Sequence, residues 1–498
     1  MARQFFARVV FFLFSVVAVS LSQGDIKTIA ARKPNVLMII VDDMNDFVGC
    51  MDGNPDTHTP NIDKLASRGI LFSNAHCAAP VCNASRVATL TGLRPGITGI
   101  YDNRARWHEI FPGLSTIPQH FKAHGYRVVG GGKVYHHMPG FNRLTDWDEY
   151  FPQVFDGHYQ HQLHSGLSVK DFQFPEGYPL NNLPSVKALN KPPKNPREFD
   201  WGSIQKADSE TGDGQMIQWS IDFLSRPHEQ PFFLAAGIYR PHLPFYATQQ
   251  YFDLYRPDTL KLPKFNDQDL NDLPPSGLKY ASQRREDFEL VMKSGKYREL
   301  LHAYLASISF ADAQIGRLID TLDASGEADN TIIVFWSDHG WHFGEKEHLH
   351  KMTLWERSTR IPFIVVDPNT TQPGTRCEQP VGMVDLFPTL NELCGLSSVE
   401  GLSGQSLIPL LKNPEQEWER PALITSNQGD HAIRSKRWRY IRYSDGGEEL
   451  YDHLNDPHEW NNVADEPSNR QIKSKLARWL PATSAKPRGK NSKSQSAR

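Results

Sequence analysis

Five short, largely apolar runs constrain this chain more than any other feature. They are Asn35–Val41 (NVLMIIV) and residues 126–130, 231–237, 331–336 and 361–366. A strand with one face in water alternates apolar with polar residues. A largely apolar run instead predicts a strand buried on both faces, as in a parallel sheet. Stretches with helical spacing, such as residues 301–322, lie between the runs. Strands alternating with helices predict an α/β fold, with a mostly parallel central sheet and helices on both faces. Four of the runs end in residues that can do chemistry. Asp42-Asp43 follows the first, a glycine triplet and Lys133 the second, Arg240-Pro241-His242 the third and Asp338-His339 the fourth. In such sheets ligands bind beyond the carboxyl ends of the strands. One Asp after a strand is an ordinary turn or cap residue. Four polar ends on one edge predict a site.

The chain has 498 residues. Single cores stop growing at about 250–300 residues, so a large domain with a smaller companion is expected. We read a catalytic domain over 33–400 and a small antiparallel α+β subdomain over 401–480. In the latter, Trp438 to Tyr443 alternates like a half-exposed strand. Asp445-Gly446-Gly447 is a turn, and Leu450-Tyr451-Asp452 follows. Residues 140–230 and 251–297 read as long insertions that shape access to the site. Residues 485–498 are basic, rich in Ser and poor in apolar residues, and read as a disordered tail.

At the N-terminus, Arg3 and Arg8 precede an apolar run over 9–19, then Ser20, Leu21 and Ser22. This reads as a signal peptide over 1–22, with an uncleaved anchor as the alternative. Either way the catalytic body is expected outside the cytosol, secreted or periplasmic. No stable membrane span is expected in the mature protein. An exported protein can form disulfides, and the five cysteines leave one spare. Cys377 with Cys394 and Cys50 with Cys77 are candidate pairs. The net charge of −3, with no basic stripe interleaved with aromatics, argues against a nucleic-acid partner.

Cys82-Asn83-Ala84-Ser85-Arg86 follows Pro80 and leads into Val87-Ala88-Thr89-Leu90-Thr91-Gly92. These residues predict a helix opened by Cys82. Its positive dipole end and free N–H groups would favour an anion there, with Arg86 projecting one turn later. The alternative is a buried free cysteine. The segment resembles the signature of the formylglycine-dependent sulfatases: Cys, any residue, Pro, Ser, Arg, with Thr-Gly further on. Ala84 stands where that signature has Pro. The resemblance continues through Asp42-Asp43, Gly132-Lys133-Val134-Tyr135-His136, Arg240-Pro241-His242, Asp338-His339-Gly340 and Lys351. It ends at Leu450-Tyr451-Asp452 and Asp456-Pro457-His458-Glu459-Trp460-Asn461-Asn462. The chain is most similar to iduronate-2-sulfatase-like members.

The resemblance implies an alkaline-phosphatase-like sheet and residue roles within it. Asp42, Asp43, Asp338 and His339 would hold one divalent cation, with His339 in a slot that many sulfatases fill with Asn. Carboxylate oxygens suit Ca²⁺. Cys82, converted to formylglycine by a maturation enzyme, would touch the metal and supply the attacking hydroxyl of a hydrate. Arg86 would hold that hydrate, flanked by Lys133 and His136. His136 would be the base that collapses it, its ordinary pKa lying near working pH. His242 and Lys351 would bind the sulfate, and His242 would protonate the leaving alcohol. The implied reaction is sulfate ester hydrolysis on a sulfated saccharide. The competing readings are a phosphoester or phosphonate hydrolase and a non-catalytic carbohydrate-binding relative. His342, His348 and His350 raise a zinc site, but their spacing is not that of a helical zinc motif; a loop lining the pocket is the better reading. Trp341 is a candidate to pack on a sugar ring or a structural residue. The glycosylation match at Asn83-Ala84-Ser85 lies inside the expected site and reads as chance. Residues 456–462 read as structural.

Overall fold

The computed structural model describes residues 32–138, 140–152, 175–183 and 199–489. The expected signal peptide and part of the 140–230 insertion lie outside the described residues. Lys33 onward forms one compact unit.

The apolar runs form strands β1 (Asn35–Val41), β3 (Arg127–Gly132), β5 (Phe232–Gly237), β6 (Thr331–Ser337) and β7 (Phe363–Val366). Three short strands complete the sheet: β2 (Ile70–Phe72), β4 (Glu149–Phe151) and β8 (Thr375–Cys377). The order is β8-β2-β7-β6-β1-β5-β3-β4. β6, β1, β5, β3 and β4 run parallel. Among the described strands of this sheet, β7 alone runs against its neighbours. Its apolar run carries no direction signal, and its direction is set by its pairing with β2 and β6.

Side chains of alternate strand residues separate into two cores. Leu37, Ile39, Leu234, Ile333 and Phe335 pack with the 28-residue helix over Tyr297–Ala324 and with helices α1 (Pro60–Arg68) and α3 (Gly212–Leu224). Val36, Met38, Phe233, Val334 and Trp336 pack on the other face with α2 (Cys82–Thr91) and the helix over Leu386–Leu393. Burial of both faces is why these strands lack polar positions. The 251–297 insertion carries α4 (Pro275–Ser282) and α5 (Arg285–Lys293) and is not simply loop. We label the Tyr297–Ala324 helix α6 and the Leu386–Leu393 helix α7.

The C-terminal part is a four-stranded antiparallel meander, β9 (Ala422–Asn427), β10 (Asp430–Arg434), β11 (Trp438–Arg442) and β12 (Glu448–Asp452), with α8 (Arg470–Ala477). β11 is not half-exposed as its alternation predicts, because both its faces are covered. Ile441 packs toward Trp355 and Tyr451, and Tyr440 toward Leu476 and Leu480. Arg439 is fully buried, paired with Glu356 and Glu459. Both carboxylates lie outside β9–β12, so the pairs clamp this sheet to its surroundings. Residues 485–489 of the expected disordered tail pack on the loop before Asn103. Ala485 N–H donates to Gly96 O and Arg488 N–H to Gly99 O, each at 2.8 Å. Residues 490–498 lie outside the described residues. The expected disulfides are not formed; all five cysteines are free.

Candidate active site

Strand register brings the polar ends together. Val41 pairs with Ser337, Ile40 with Gly237, and Gly132 with Gly237. Asp42, Lys133 and Asp338 therefore leave the sheet side by side. Gly132 has a left-handed φ of 70°, and a Cβ there would lie 2.1 Å from Gly237 O. Only glycine permits this approach, which carries the chain into Lys133. Asp213, in the first turn of α3, accepts the N–H groups of Tyr239 and Arg240 at 2.8 and 3.0 Å. The insertion thus holds the turn that delivers His242.

Cys82 is the first residue of α2 and is buried. Its Sγ lies 3.4 Å from Lys351 Nζ, 3.4 Å from His339 Nε2, 3.7 Å from Asp42 Oδ1 and 3.9 Å from Lys133 Nζ. Burial and the Asp42 carboxylate push its thiol pKa up, but Lys133 and Lys351 hold it below the ordinary value. Around it, the carboxylates Asp42, Asp43 and Asp338 face the cations Arg86, Lys133 and Lys351. Arg86 donates to Asp338 Oδ2 at 2.8 Å and to Asp42 Oδ2 at 2.9 Å. Its Nη1 also faces the carbonyls of Lys133 and Val134. With cysteine at position 82, the Arg86 donors go to two carboxylates and to the carbonyls of Lys133, Val134 and Val41. Lys133 pairs with Asp42, and Lys351 with Asp43.

The donor set fits a hard divalent cation. Ligand atoms of Asp42, Cys82, Asp338 and His339 lie within 4.8 Å of one another, as do those of Asp42, Asp43, Cys82 and His242. Asp43 Oδ2 is buried and has no hydrogen-bond partner among the described residues. Such an orphan carboxylate oxygen is costly unless a cation meets it. Burial raises the Asp43 pKa well above the ordinary value, a shift that Lys351 opposes. Asp43 is also held in left-handed backbone, at φ 61°. That conformation is tolerated by Asp but uncommon. The Tyr304 hydroxyl donates to Asp43 O at 2.7 Å, and the Asp43 N–H donates to Asp338 Oδ1 at 3.2 Å. A third cluster, Glu356, His453 and Glu459, has ligand-type atoms too. There Arg434 and Arg439 already neutralise the carboxylates, so it reads as structural. Residues 456–462 contribute Glu459 to it.

Above Cys82 lies a cavity of about 260 Å³ lined by His136, His137, His242 and Lys351, with Phe199, Trp341, Met138 and Met352 among its apolar walls. His136 departs from its expected titration. Burial, then Lys133, pushes it down to about 3, so it stands neutral at working pH. The same causes hold His137 and His242 well below the ordinary value. His242 Nδ1 faces the carbonyl of Leu243, and its Nε2 lies 3.8 Å from Asp43. Trp341 is buried yet forms part of this wall. His350 lines the cavity, whereas His342 bonds Thr353 and His348 lies against the carbonyls of Ala281 and Lys351. The three do not converge on a zinc site. Asn83 is buried, and its amide donates to Asp102 O and Ala105 O, which leaves no room for a glycan.

The residues expected at the site are thus brought together, with others that spacing did not announce. His137 adjoins a motif histidine and was open to notice on that ground. Asn103, Phe199, Arg284 and Asp287 also line the cavity, and no periodicity or motif marks them.

A sulfatase family model matches residues 34–396. The chain belongs to the sulfatase family. A second model, described as N-sulphoglucosamine sulphohydrolase, C-terminal, matches residues 344–486 of this sulfatase. It is 38% identical over 465 residues to a sulfatase of Formosa agariphila, covering 91% of this chain and 87% of that one. It is 33% identical over 400 residues to human iduronate 2-sulfatase, covering 73% and 69%. Iduronate-2-sulfatase-like proteins are therefore among its relatives, and the chain is a sulfuric ester hydrolase. Among solved structures it resembles the phosphonate monoester hydrolase of Agrobacterium radiobacter, with a TM-score of 0.72 and 20% identity over 90% of this chain and 96% of that one. It also resembles a protein solved with its substrate D-glucosamine-2-N,6-O-disulfate, with a TM-score of 0.68 and 20% identity over 90% and 97%. Both likenesses establish the alkaline-phosphatase-like fold. Among the described residues, no helix is long and apolar enough to cross a membrane.

Proposed function

We propose that this sulfatase removes sulfate from a sulfated saccharide, using a formylglycine made from Cys82 and one Ca²⁺ ion. The observation that carries the reading is the setting of Cys82 at a helix start, with two lysines and a histidine within 3.9 Å of its sulfur. Oxygens of a formylglycine hydrate placed there would accept from the two lysines, while His339 would face the cation. Asp42, Asp43, Asp338 and His339 would hold the cation, whose positive charge would offset that of the sulfate.

The chain's own residues divide the remaining work. Arg86 fixes Asp42 and Asp338. Lys133 and Lys351 face the sulfate oxygens and offset negative charge that moves to the leaving oxygen. Asp43 holds the Lys351 pKa up against the cost of burial, so Lys351 stays a cation. His136 is neutral in the resting site and accepts the proton of the second hydrate hydroxyl as sulfate is expelled. His242 takes a proton at Nε2 once an anionic ester raises its basicity, and passes it to the leaving alcohol.

The saccharide class is supported by the apolar walls Phe199 and Trp341, which suit a sugar face, and by relatives and neighbours that act on sulfated sugars. Export, suggested by the first 22 residues, belongs to the same reading, as does dependence on a formylglycine-generating partner enzyme. The test is the mass of the Cys82 peptide from protein made with that enzyme, followed by sulfate release from sulfated oligosaccharides. The expected result is an aldehyde or its hydrate, and turnover that Cys82→Ala abolishes without unfolding the protein. Full turnover by that variant would refute the mechanism. Faster cleavage of matched phosphonate esters than of sulfate esters would favour the phosphonate hydrolase reading.

A further inference from the structure

Among the described residues, the cavity above Cys82 is lined by two cations apart from its histidines, and they are committed differently. Lys351 is turned onto Asp43 and the Cys82 sulfur. Arg284 enters the wall from the position just before α5. Its contact with Asp287 is a single long one, Nη1 to Oδ2 at 3.5 Å. That same oxygen is taken at 2.9 Å by His350 Nε2. Asp287 is almost buried, whereas the Arg284 side chain keeps 27% of its exposure. A guanidinium has five N–H donors in a planar fork, and among the described residues one shared oxygen satisfies little of it.

Asp287 has a separate task. It anchors His350, which sits in left-handed backbone at φ 81° and packs on Trp341 with ring centroids 4.6 Å apart. His350 directly precedes Lys351 and pairs with His342 in a short antiparallel hairpin, so the contact between Asp287 and His350 positions the chain that leads into the lysine. The His350 contact with Asp287 is the short one, at 2.9 Å against 3.5 Å for Arg284. At about 260 Å³ the cavity is smaller than the roughly 300–1,000 Å³ typical of sites for drug-sized ligands. A space of this size holds one sugar ring, so whatever Arg284 meets belongs to the ring whose sulfate reaches Cys82. The cavity mixes histidines with apolar walls such as Phe199, Trp341 and Met352, and a charge-assisted contact in such partly dry surroundings is worth more than in open water.

We propose that Arg284 is a specificity-determining residue that reads a second anionic group, a carboxylate or a second sulfate, on the ring that bears the scissile sulfate. This rests on the sulfated-saccharide reading above. The test is calorimetric titration of the Cys82→Ala protein, loaded with Ca²⁺, against three panels covering each ring position. These are neutral hexose monosulfates, hexose disulfates and hexuronate monosulfates. Dianionic sugars are expected to bind at least about tenfold more tightly than neutral monosulfates. Arg284→Gln should reduce that ratio by about tenfold, and Arg284→Lys should restore part of it. A response confined to hexuronates identifies a carboxylate; one confined to disulfates identifies a sulfate. Three results would overturn the proposal: equal binding of mono- and dianionic sugars, a proportional loss for all ligands in Arg284→Gln, or no binding from any panel. Release of sulfate from 4-nitrophenyl sulfate by the formylglycine-bearing wild-type protein checks the underlying sulfatase mechanism separately. If it fails while the binding preference persists, the mechanism falls and the role of Arg284 stands.

Discussion

Replacing Arg86 with Met keeps most of the side chain's volume and removes its charge. In the native site Arg86 is fully buried between Asp42 and Asp338, at 2.9 and 2.8 Å. Without it, three buried carboxylates face Lys133, Lys351 and His339. Breaking a buried pair in this way typically costs about 3–5 kcal/mol, a large share of the roughly 5–15 kcal/mol that holds a domain folded. The same change leaves the carboxylates with one more uncompensated negative charge. At an effective dielectric constant near 20, a unit charge about 4 Å away is worth about 4 kcal/mol. A divalent cation should therefore recover more stability in the variant than in the wild type. Thermal melts of both proteins in chelator and in millimolar Ca²⁺ measure this. The variant should melt several degrees lower in chelator, and the difference should narrow with Ca²⁺. Turnover should remain low even with the ion restored, because Asp42 and Asp338 lose their fixed orientation. If the variant melts within a degree of wild type in chelator, or gains less from Ca²⁺ than wild type does, the charge balance argued for this site is wrong.

Other expectations follow from the same geometry. Asp338→Asn should weaken Ca²⁺ binding and turnover together, measured by calorimetry and sulfate release; full ion occupancy at a normal rate would remove Asp338 from the ligand set. Ala84→Pro should keep the fold, since the first turn of a helix accepts proline, and should raise the formylglycine fraction seen by peptide mass. An unchanged fraction would show that Ala84 does not limit conversion. Burial raises the pKa of Glu459, but Arg439 and then His453 lower it further, leaving it depressed overall. Its stabilising contribution is thus complete above the ordinary carboxyl value of 4.5. It is lost as pH falls toward the depressed folded value. Acid melts should show wild type losing stability below that pH more steeply than Glu459→Gln, which should already be destabilised at neutral pH. Parallel curves would refute the clamp.

Much of the scaffold was legible before any coordinates. The largely apolar runs required strands covered on both faces, and helical spacing between them required crossovers, so the parallel sheet and its functional edge followed. The motif residues at the strand ends then had few places to go. Local spacing could not decide what depends on contacts made across hundreds of residues. The reversed direction of β7, the burial of Arg439 and the packing of residues 485–489 are set by partners distant in sequence. The use of Arg86 is another such case. Its position one turn into α2 was readable, but only the packed site shows that two carboxylates and three backbone carbonyls take its donors. The walls built by Phe199, Arg284, Asp287 and His350 join three separate segments with no shared pattern. The same holds for titration. The sequence by itself determined that His136 stands near Lys133. Only the tertiary structure decided that it is neutral, because desolvation and the charge of Lys133 act through burial and distance, which a linear order of residues does not contain.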